Sequence, residues 1–543
     1  MSTPTPPGRA AGLHALPYSS LLSFCEEPTA ILAVSVFTCL LLAAKYQVEK
    51  YRYHKAHWKT DTGQLPPKYP SLIPYVGSII SLVWNTKAFL SQATSFDGKL
   101  SAAKITCLGM DMYLFQDRET VKKIWKQRSL SSPISIYIYV LKYFFGLPES
   151  ALHVQPQDRV DHITHHPYLR ALSGPGLSPT VERFKQSLEK RVVAMHWGDE
   201  WTEESNIESL FQRVPAASLI EAIFGPTLLH LNPSFVENIW KFDNFVPWFA
   251  RAIPGFLMPE PYRLRERLKG QLKHWYQYAR QRFQESDISE DGDGDPFWGS
   301  ELIRHRQKVL LQVQHHDDNV LASTDIGLVW GAVGNTIPVA MLATMHICKD
   351  PNLLKRVRLL IAETLGQRSL LDLDPRELSQ IPLLSSIYAE ILRVYVNTYF
   401  MVSSPHVDVP LGKWRLPKGH IGLLNSNIAQ MDHSFWNTKD GLHPIESFWA
   451  DRFIIDPADA SSGPILPAEG TEGSWFPYGG GHSICPGRFL AKSVVLFSCA
   501  LFVHQYDVEI LGDAIRLDPF RFGLGVGQLQ QAIPFRIRRR KLA

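Results

Sequence analysis

WFPYGGGHSICPGRFL, residues 475–490, sets three glycines, a cysteine and a Pro-Gly pair ahead of an apolar segment with helical patterning. Glycines at 479, 480 and 481 remove side chains and permit turn dihedrals, so the backbone there can lie against a flat ligand. Cys485 then stands at a helix start. Pro486 suits the first helical position, and the amides and positive dipole end of that helix favour a thiolate over a thiol. A lone C-P-G more often marks a buried structural cysteine beside a turn. The reading of this loop therefore depends on what stands at matching places in the rest of the chain.

Upstream, YAEILRVY places Glu390 and Arg393 one helical turn apart, where a carboxylate and a guanidinium can pair. About 60 residues later comes FWADRF, with Phe448, Arg452 and Phe453. E-x-x-R, then F-x-x-x-R-F, then the cysteine loop, in that order, resembles the cytochrome P450 family. The family's haem-ligand loop reads F-x-x-G-x-R-x-C-x-G, and Tyr478, Gly481, Ser483, Cys485 and Gly487 fall in its register, with Tyr for Phe and Ser for the basic residue. His482 lies one place before that serine. Ala450 likewise replaces the proline of F-x-P-x-R-F. The resemblance implies that Glu390, Arg393 and Arg452 form one bonded triad behind the haem, since buried charges need partners. It also implies Cys485 thiolate as the ligand to the iron of haem b, which favours O–O cleavage.

Further elements resemble this family in part. W-x-x-x-R, a pair beside a haem propionate, has its spacing in His166 and Arg170, although Pro167 follows the histidine. The arginine usual five residues before the equivalent of Asp408 is Ser403 here, so two basic haem clamps, at 403 and 483, are absent; His406 and His482 are the nearby donors. DIGLVWGAVGNTIPVAMLATMH, residues 325–346, reads as a long apolar helix with Gly331, Gly334 and Pro338 inside it, breakers that imply a local reason. In the family that helix opens a groove where oxygen binds and an acid-Thr pair relays protons. Either Asn335 replaces the threonine, or Thr336 is that residue and Asn335 replaces the acid. The first alignment resembles the branch with sterol 7α-hydroxylase and prostacyclin synthase. GLGVGQ, residues 523–528, matches a substrate-contacting turn, and residues 397–403 are expected to face the substrate.

The 543 residues, 45% hydrophobic and 20% charged, describe a globular chain with ample core, and a net charge of +4 carries no nucleic-acid signal. Six cysteines, at 25, 39, 107, 348, 485 and 499, form no disulfide-like pattern and suit a reducing compartment. TAILAVSVFTCLLLAA, residues 29–44, is 16 residues of uncharged apolar sequence against the about 20 that span a bilayer. Glu26 and Glu27 precede it and Lys45, Lys50, Arg52 and Lys55 follow, so the positive-inside rule places the bulk of the chain in the cytosol. The expected layout is a lumenal segment 1–27, a transmembrane anchor 28–46, a linker and Pro-rich hinge 47–77 and a catalytic domain 78–543. Prolines 66, 67, 70 and 74 are expected to stiffen the hinge. Gln284–Pro296, QESDISEDGDGDP, breaks calcium-loop spacing and reads as a solvated surface loop.

The resemblance implies a mainly α fold with small β-sheets (α+β), a triangular single domain behind an N-terminal transmembrane helix in the endoplasmic reticulum. It implies a monooxygenase that oxidises a lipophilic terpenoid, steroid or polyketide-like molecule with O2. Electrons come from NADPH through the FAD and FMN of a partner cytochrome P450 reductase, with cytochrome b5 as an optional second donor. A haem-dependent isomerase or dehydratase needing neither O2 nor reductase, and a non-catalytic haem-binding membrane protein, are the alternatives.

Overall fold

A computed structural model of the chain describes residues 28–73, 77–153, 160–454, 470–481, 484–512 and 514–541; His482 and Ser483 lie outside these. The apolar start folds as a single helix, α1 (Pro28–Trp58), of 31 residues. Leu32, Phe37 and Leu40 on it are exposed, and its stretch Ile31–Trp58 is long and apolar enough to cross a membrane. The helix thus runs well past the expected end of the anchor. Its last turns dock on the body: Tyr53 Oη donates to the Ala93 carbonyl at 3.0 Å, and buried His57 lies within 3.2 Å of the Ala102 carbonyl and stacks on Phe96 at 4.5 Å. Docking of this rod, upstream of the prolines, therefore sets the angle between anchor and body. The Pro-rich stretch follows as edge chain, with Gln64 N–H bonded to Lys413 O and Tyr69 N–H to Lys104 O.

The body is mostly helical with small sheets. Its five-stranded sheet uses β1 (Ala102–Cys107), β2 (Met110–Phe115), β3 (Val396–Val402), β4 (Ile421–Asn425) and β5 (Leu524–Val526) in the order β5-β3-β4-β2-β1. Only β2 and β4 pair in parallel. After β2, Asp117 accepts the Thr120 N–H at 2.9 Å and starts α2 (Arg118–Lys126) as an N-cap. Trp414–Leu416 and Ile421–Asn425 flank Pro417, Lys418 and Gly419 but do not pair with each other, the first joining Val409–Leu411 in a separate ribbon.

The remaining elements used below are α3 (Val160–Ser173), α4 (Ile207–Arg213), α5 (Phe235–Ala250), α6 (Pro259–Arg282), α7 (Glu301–Leu310), α8 (Asp318–Lys349), α9 (Pro382–Tyr395) and α10 (Arg488–Gln505). Although α8 and α10 are long and apolar, most of each is buried inside the body, so they are core helices. The acidic loop 284–296 is not simply solvated. Asp293 and Asp295 are buried, Arg183 pairs with Asp293 at 2.6 Å, and the Asp295 carboxylate accepts the amides of Phe297 and Trp298.

Candidate active site

Cys485 stands three residues before α10, whose N-cap is Gly487, so Pro486 lies outside the helix rather than at its first position. The Cys485 N–H donates to the Tyr478 carbonyl at 3.0 Å, closing the loop on itself. Its sulfur faces a cavity of about 660 Å³ and is approached by the backbone amides of Gly487 and Arg488. Burial pushes the thiol upward, and those amides and the Arg488 charge only partly offset it. The thiolate expected from the helix end alone therefore needs a cation at the sulfur.

The three glycines serve the protein's own packing. A Cβ on Gly479 would meet the Phe400 ring at 2.9 Å, one on Gly480 the Trp125 indole at 2.5 Å, and one on Gly481 the Trp125 carbonyl at 2.7 Å. Trp125 of α2 and Phe400 of β3 thus fill the space that the sequence assigned to a ligand. Gly487 differs, because a Cβ there would meet nothing closer than 3.9 Å and the residue lines the cavity. Tyr478 also lines it, with its hydroxyl bonded to the Tyr388 hydroxyl of α9.

The same cavity is lined by α8, which passes unbroken through Gly331, Gly334 and Pro338. Proline has no N–H, so the Gly334 carbonyl lacks its helical donor. Asn335 and Thr336 both line the cavity. Asn335 Oδ1 accepts the Val526 N–H of β5 at 2.9 Å, which fixes the amide's orientation because a backbone N–H can only donate. The approach demands glycine at 525: its φ is +106°, and a Cβ there would lie 2.1 Å from Asn335 Oδ1. Val396, Thr398 and Phe400, alternate residues of β3, complete this wall as the pleat requires.

Behind the loop, the structure brings Glu390, Arg393 and Arg452 together. Arg393 Nε donates to Glu390 Oε2 at 2.7 Å and its Nη2 to Oε1 at 2.9 Å, while Arg452 Nε donates to Oε1 at 2.8 Å. All three side chains are 0% exposed. The other guanidinium N–H groups reach backbone carbonyls of Ile445, Pro444 and Ser447, so the triad holds the segment before the cysteine loop against α9.

Two sequence-assigned donors lie elsewhere. Arg170 is largely exposed and pairs with Glu301 at 3.3 Å, in a separate hollow shared with His166. His406 is exposed in the turn after β3 and does not line the cavity. On α3 the cavity-facing positions are His165, Tyr168 and Leu172, one frame off the His166–Arg170 pair. Their i, i+3, i+7 spacing was the available signal, masked by the adjacent histidines. Arg306 of α7 carried no motif at all. It is buried at the cavity wall, donates to Tyr168 Oη at 2.6 Å and to Asp325 Oδ1 at 2.8 Å, and Tyr276 Oη of α6 closes the ring on Asp325 Oδ2 at 2.6 Å.

These residues fit a thiolate-ligated haem. One sulfur without a disulfide faces the cavity, amides approach it, and Leu172, Leu490 and Val495 supply apolar wall. Past Phe400 a smaller hollow of about 190 Å³ is lined by Gln127, Ser131, Ser132 and Gly479–Gly481, and there the Trp125 indole N–H is buried without a partner. An orphaned donor beside the serine hydroxyls of this hollow suits an anionic group at the edge of a bound ligand.

A profile described as Cytochrome P450 matches residues 67–534. Cytochrome P450 monooxygenase efuG of Hormonema carpetanum is 28% identical over 507 residues, 88% of this chain and 90% of that protein. Cytochrome P450 monooxygenase fsoE of Humicola fuscoatra is 29% identical over 514 residues, covering 88% and 89%. A cholesterol 7-alpha-monooxygenase of Cricetulus griseus is 22% identical over 492 residues, covering 85% and 91%. The likeness is thus stronger to fungal monooxygenases than to the sterol branch that Asn335 suggested.

Proposed function

The chain belongs to the cytochrome P450 family, a family of haem oxidoreductases, and from that premise we propose that it is a membrane-anchored monooxygenase of a lipophilic small molecule. The observation that carries the proposal is that Cys485, Asn335 and Thr336 line one largely apolar cavity. Haem b bound there supplies reductive activation of O2 and oxygen insertion into a C–H bond. Cys485 would be its ligand, the Gly487 and Arg488 amides would temper the sulfur's charge, and Trp125 Nε1 would be a donor for its anionic edge. His165, Tyr168 and the Arg306–Asp325 pair form the polar end of the cavity.

Asn335 and Thr336 divide the proton work by their chemistry. An amide can orient water but does not release a proton at neutral pH, whereas a hydroxyl can pass one on while receiving another. Asn335, held through Oδ1 by Val526, positions water with its amide N–H groups, and Thr336 Oγ1 hands on the proton. The substrate is a terpenoid, steroid or polyketide-like molecule of specialised metabolism, entering from the membrane side. The anchor lies in the endoplasmic reticulum with the body in the cytosol, and NADPH–cytochrome P450 reductase, optionally with cytochrome b5, delivers electrons.

The test is to incubate the protein with reductase, NADPH, ¹⁸O2 and a lipid extract of its host. Products carrying one labelled oxygen, absent without reductase, are expected. Product formation under anaerobic, reductase-free conditions would contradict the proposal and favour a haem-dependent isomerase.

A further inference from the structure

A buried carboxylate lies behind the cavity wall, far in sequence from the cysteine loop. Asp243 of α5 is 1% exposed. Its Oδ1 accepts Trp330 Nε1 at 2.7 Å and Arg521 Nη2 at 2.8 Å, its Oδ2 accepts Gln528 Nε2, and its backbone carbonyl accepts Arg521 Nη1 at 2.7 Å. The donors come from α8, from the turn at Pro519–Arg521 and from the segment after β5. Arg521 neutralises the carboxylate, and Gln528 and the indole satisfy what remains of it.

Of these residues only Trp330 lines the cavity. Its ring lies 6.0 Å from that of Phe145, and a Cβ added to Gly334 would come within 3.2 Å of Nε1, so the indole lies close along α8. Trp330 precedes Asn335 by five residues, or about 7.5 Å along the helix axis. Its single donor is spent on Asp243. What it offers a ligand is therefore a flat apolar ring with no hydrogen bond to give.

We propose that Trp330 is a specificity-determining residue of the cavity and Asp243 its positioning residue. The carboxylate holds the indole along α8 at the cavity wall, admitting ligands whose end at that wall is flat, apolar and free of acceptors, and excluding bulkier ones. An alicyclic or aromatic ring system fits that description; a branched or hydroxylated end does not. The proposal rests on the monooxygenase reading, because it takes the ligand to lie between this wall and the iron.

The test uses holoenzyme and azoles of graded bulk, whose nitrogen binds the iron and shifts the haem absorption band. Imidazole, 1-phenylimidazole and clotrimazole are titrated against wild type, Trp330→Ala, Trp330→Phe, Asp243→Asn and the Asp243→Asn/Trp330→Phe pair. Trp330→Ala should tighten clotrimazole about tenfold or more and change imidazole by less than about twofold. Asp243→Asn should move clotrimazole in the same direction in the wild-type background and leave it unchanged in the Trp330→Phe background. Phenylalanine touches no ion pair, so that variant is informative even if Asp243→Asn folds poorly. Equal changes for all three azoles, or none, would overturn the proposal. If imidazole fails to shift the wild-type spectrum, the haem reading itself fails, and the proposal with it.

Discussion

Glu390, behind the cysteine loop, and Asp243, at the cavity wall, are both buried carboxylates held by arginine, but they tie together different things. Glu390 takes two arginines whose remaining N–H groups end on backbone carbonyls, and no member of that triad lines the cavity. Asp243 takes one arginine, and one of its other donors is an indole that faces the ligand space. The first network fixes backbone to backbone. The second fixes a side chain that a substrate touches. Damage to the first should therefore appear as loss of folded holoprotein, and damage to the second as altered selectivity at modest cost in stability.

The largest expected effect is at Glu390. Glu390→Gln leaves two buried guanidinium groups without their counter-charge, a loss of about 3–5 kcal/mol; haem content and soluble yield should collapse together. Asp243→Asn strands a single arginine and leaves one oxygen where the indole, Arg521 and Gln528 shared two, so about 2–3 kcal/mol is expected, measured by thermal denaturation of holoprotein that still binds haem. Should both variants retain wild-type haem content, the contrast between the two networks would be lost. Asn335→Ala removes one hydrogen bond, the one from Val526, at about 1 kcal/mol. Its larger signature should be NADPH oxidation that no longer yields product, read as peroxide release.

The same two regions should respond to pH with opposite sign. Near the triad, His346 packs on Phe448 at 4.2 Å and lies 2.6 Å from the Tyr395 hydroxyl; burial and the Lys349 charge lower its pKa to about 4. A histidine kept neutral in the fold contributes nothing pH-dependent above the unfolded value of 6.5, and stability is lost as pH falls from there to about 4. Near Asp243, Glu208 of α4 is pushed up to about 7 by burial, with Asp243 adding to the shift and Arg521 opposing it. An acid kept neutral in the fold costs stability as pH rises from 4.5 to about 7. Relative to wild type, His346→Phe should gain stability only toward pH 4, and Glu208→Gln only toward pH 8. Parallel slopes for the two variants would contradict these assignments.

What the sequence made legible follows the range of the interaction. Glu390 and Arg393 are one turn apart on a helix and Arg452 sits in a compact motif, so residue type and spacing sufficed. The α8 pattern around Asn335 and the GLGVGQ turn were legible for the same reason, and the structure explains the turn's Gly525 by its close approach to Asn335. Asp243 and Arg521 are 278 residues apart and Tyr168 and Arg306 are 138 apart, and no local pattern announces either pair. The glycine run was ambiguous, because absent side chains look the same whether a ligand or Trp125 lies against them. Arg170 stands two residues from both Tyr168 and Leu172, the nearest cavity-lining positions, a step that on a helix turns a side chain by about 200°.

The central claim is that Cys485 sulfur ligates haem iron in the cavity beneath α8. The most direct measurement is the absorption spectrum of the dithionite-reduced, carbon monoxide-saturated protein, wild type against Cys485→Ala. Wild type should show the strongly red-shifted band of a thiolate-ligated ferrous carbonyl, and the variant should lack it. A wild-type band at the shorter wavelength of a neutral ligand, or a red-shifted band that survives in Cys485→Ala, would contradict the account.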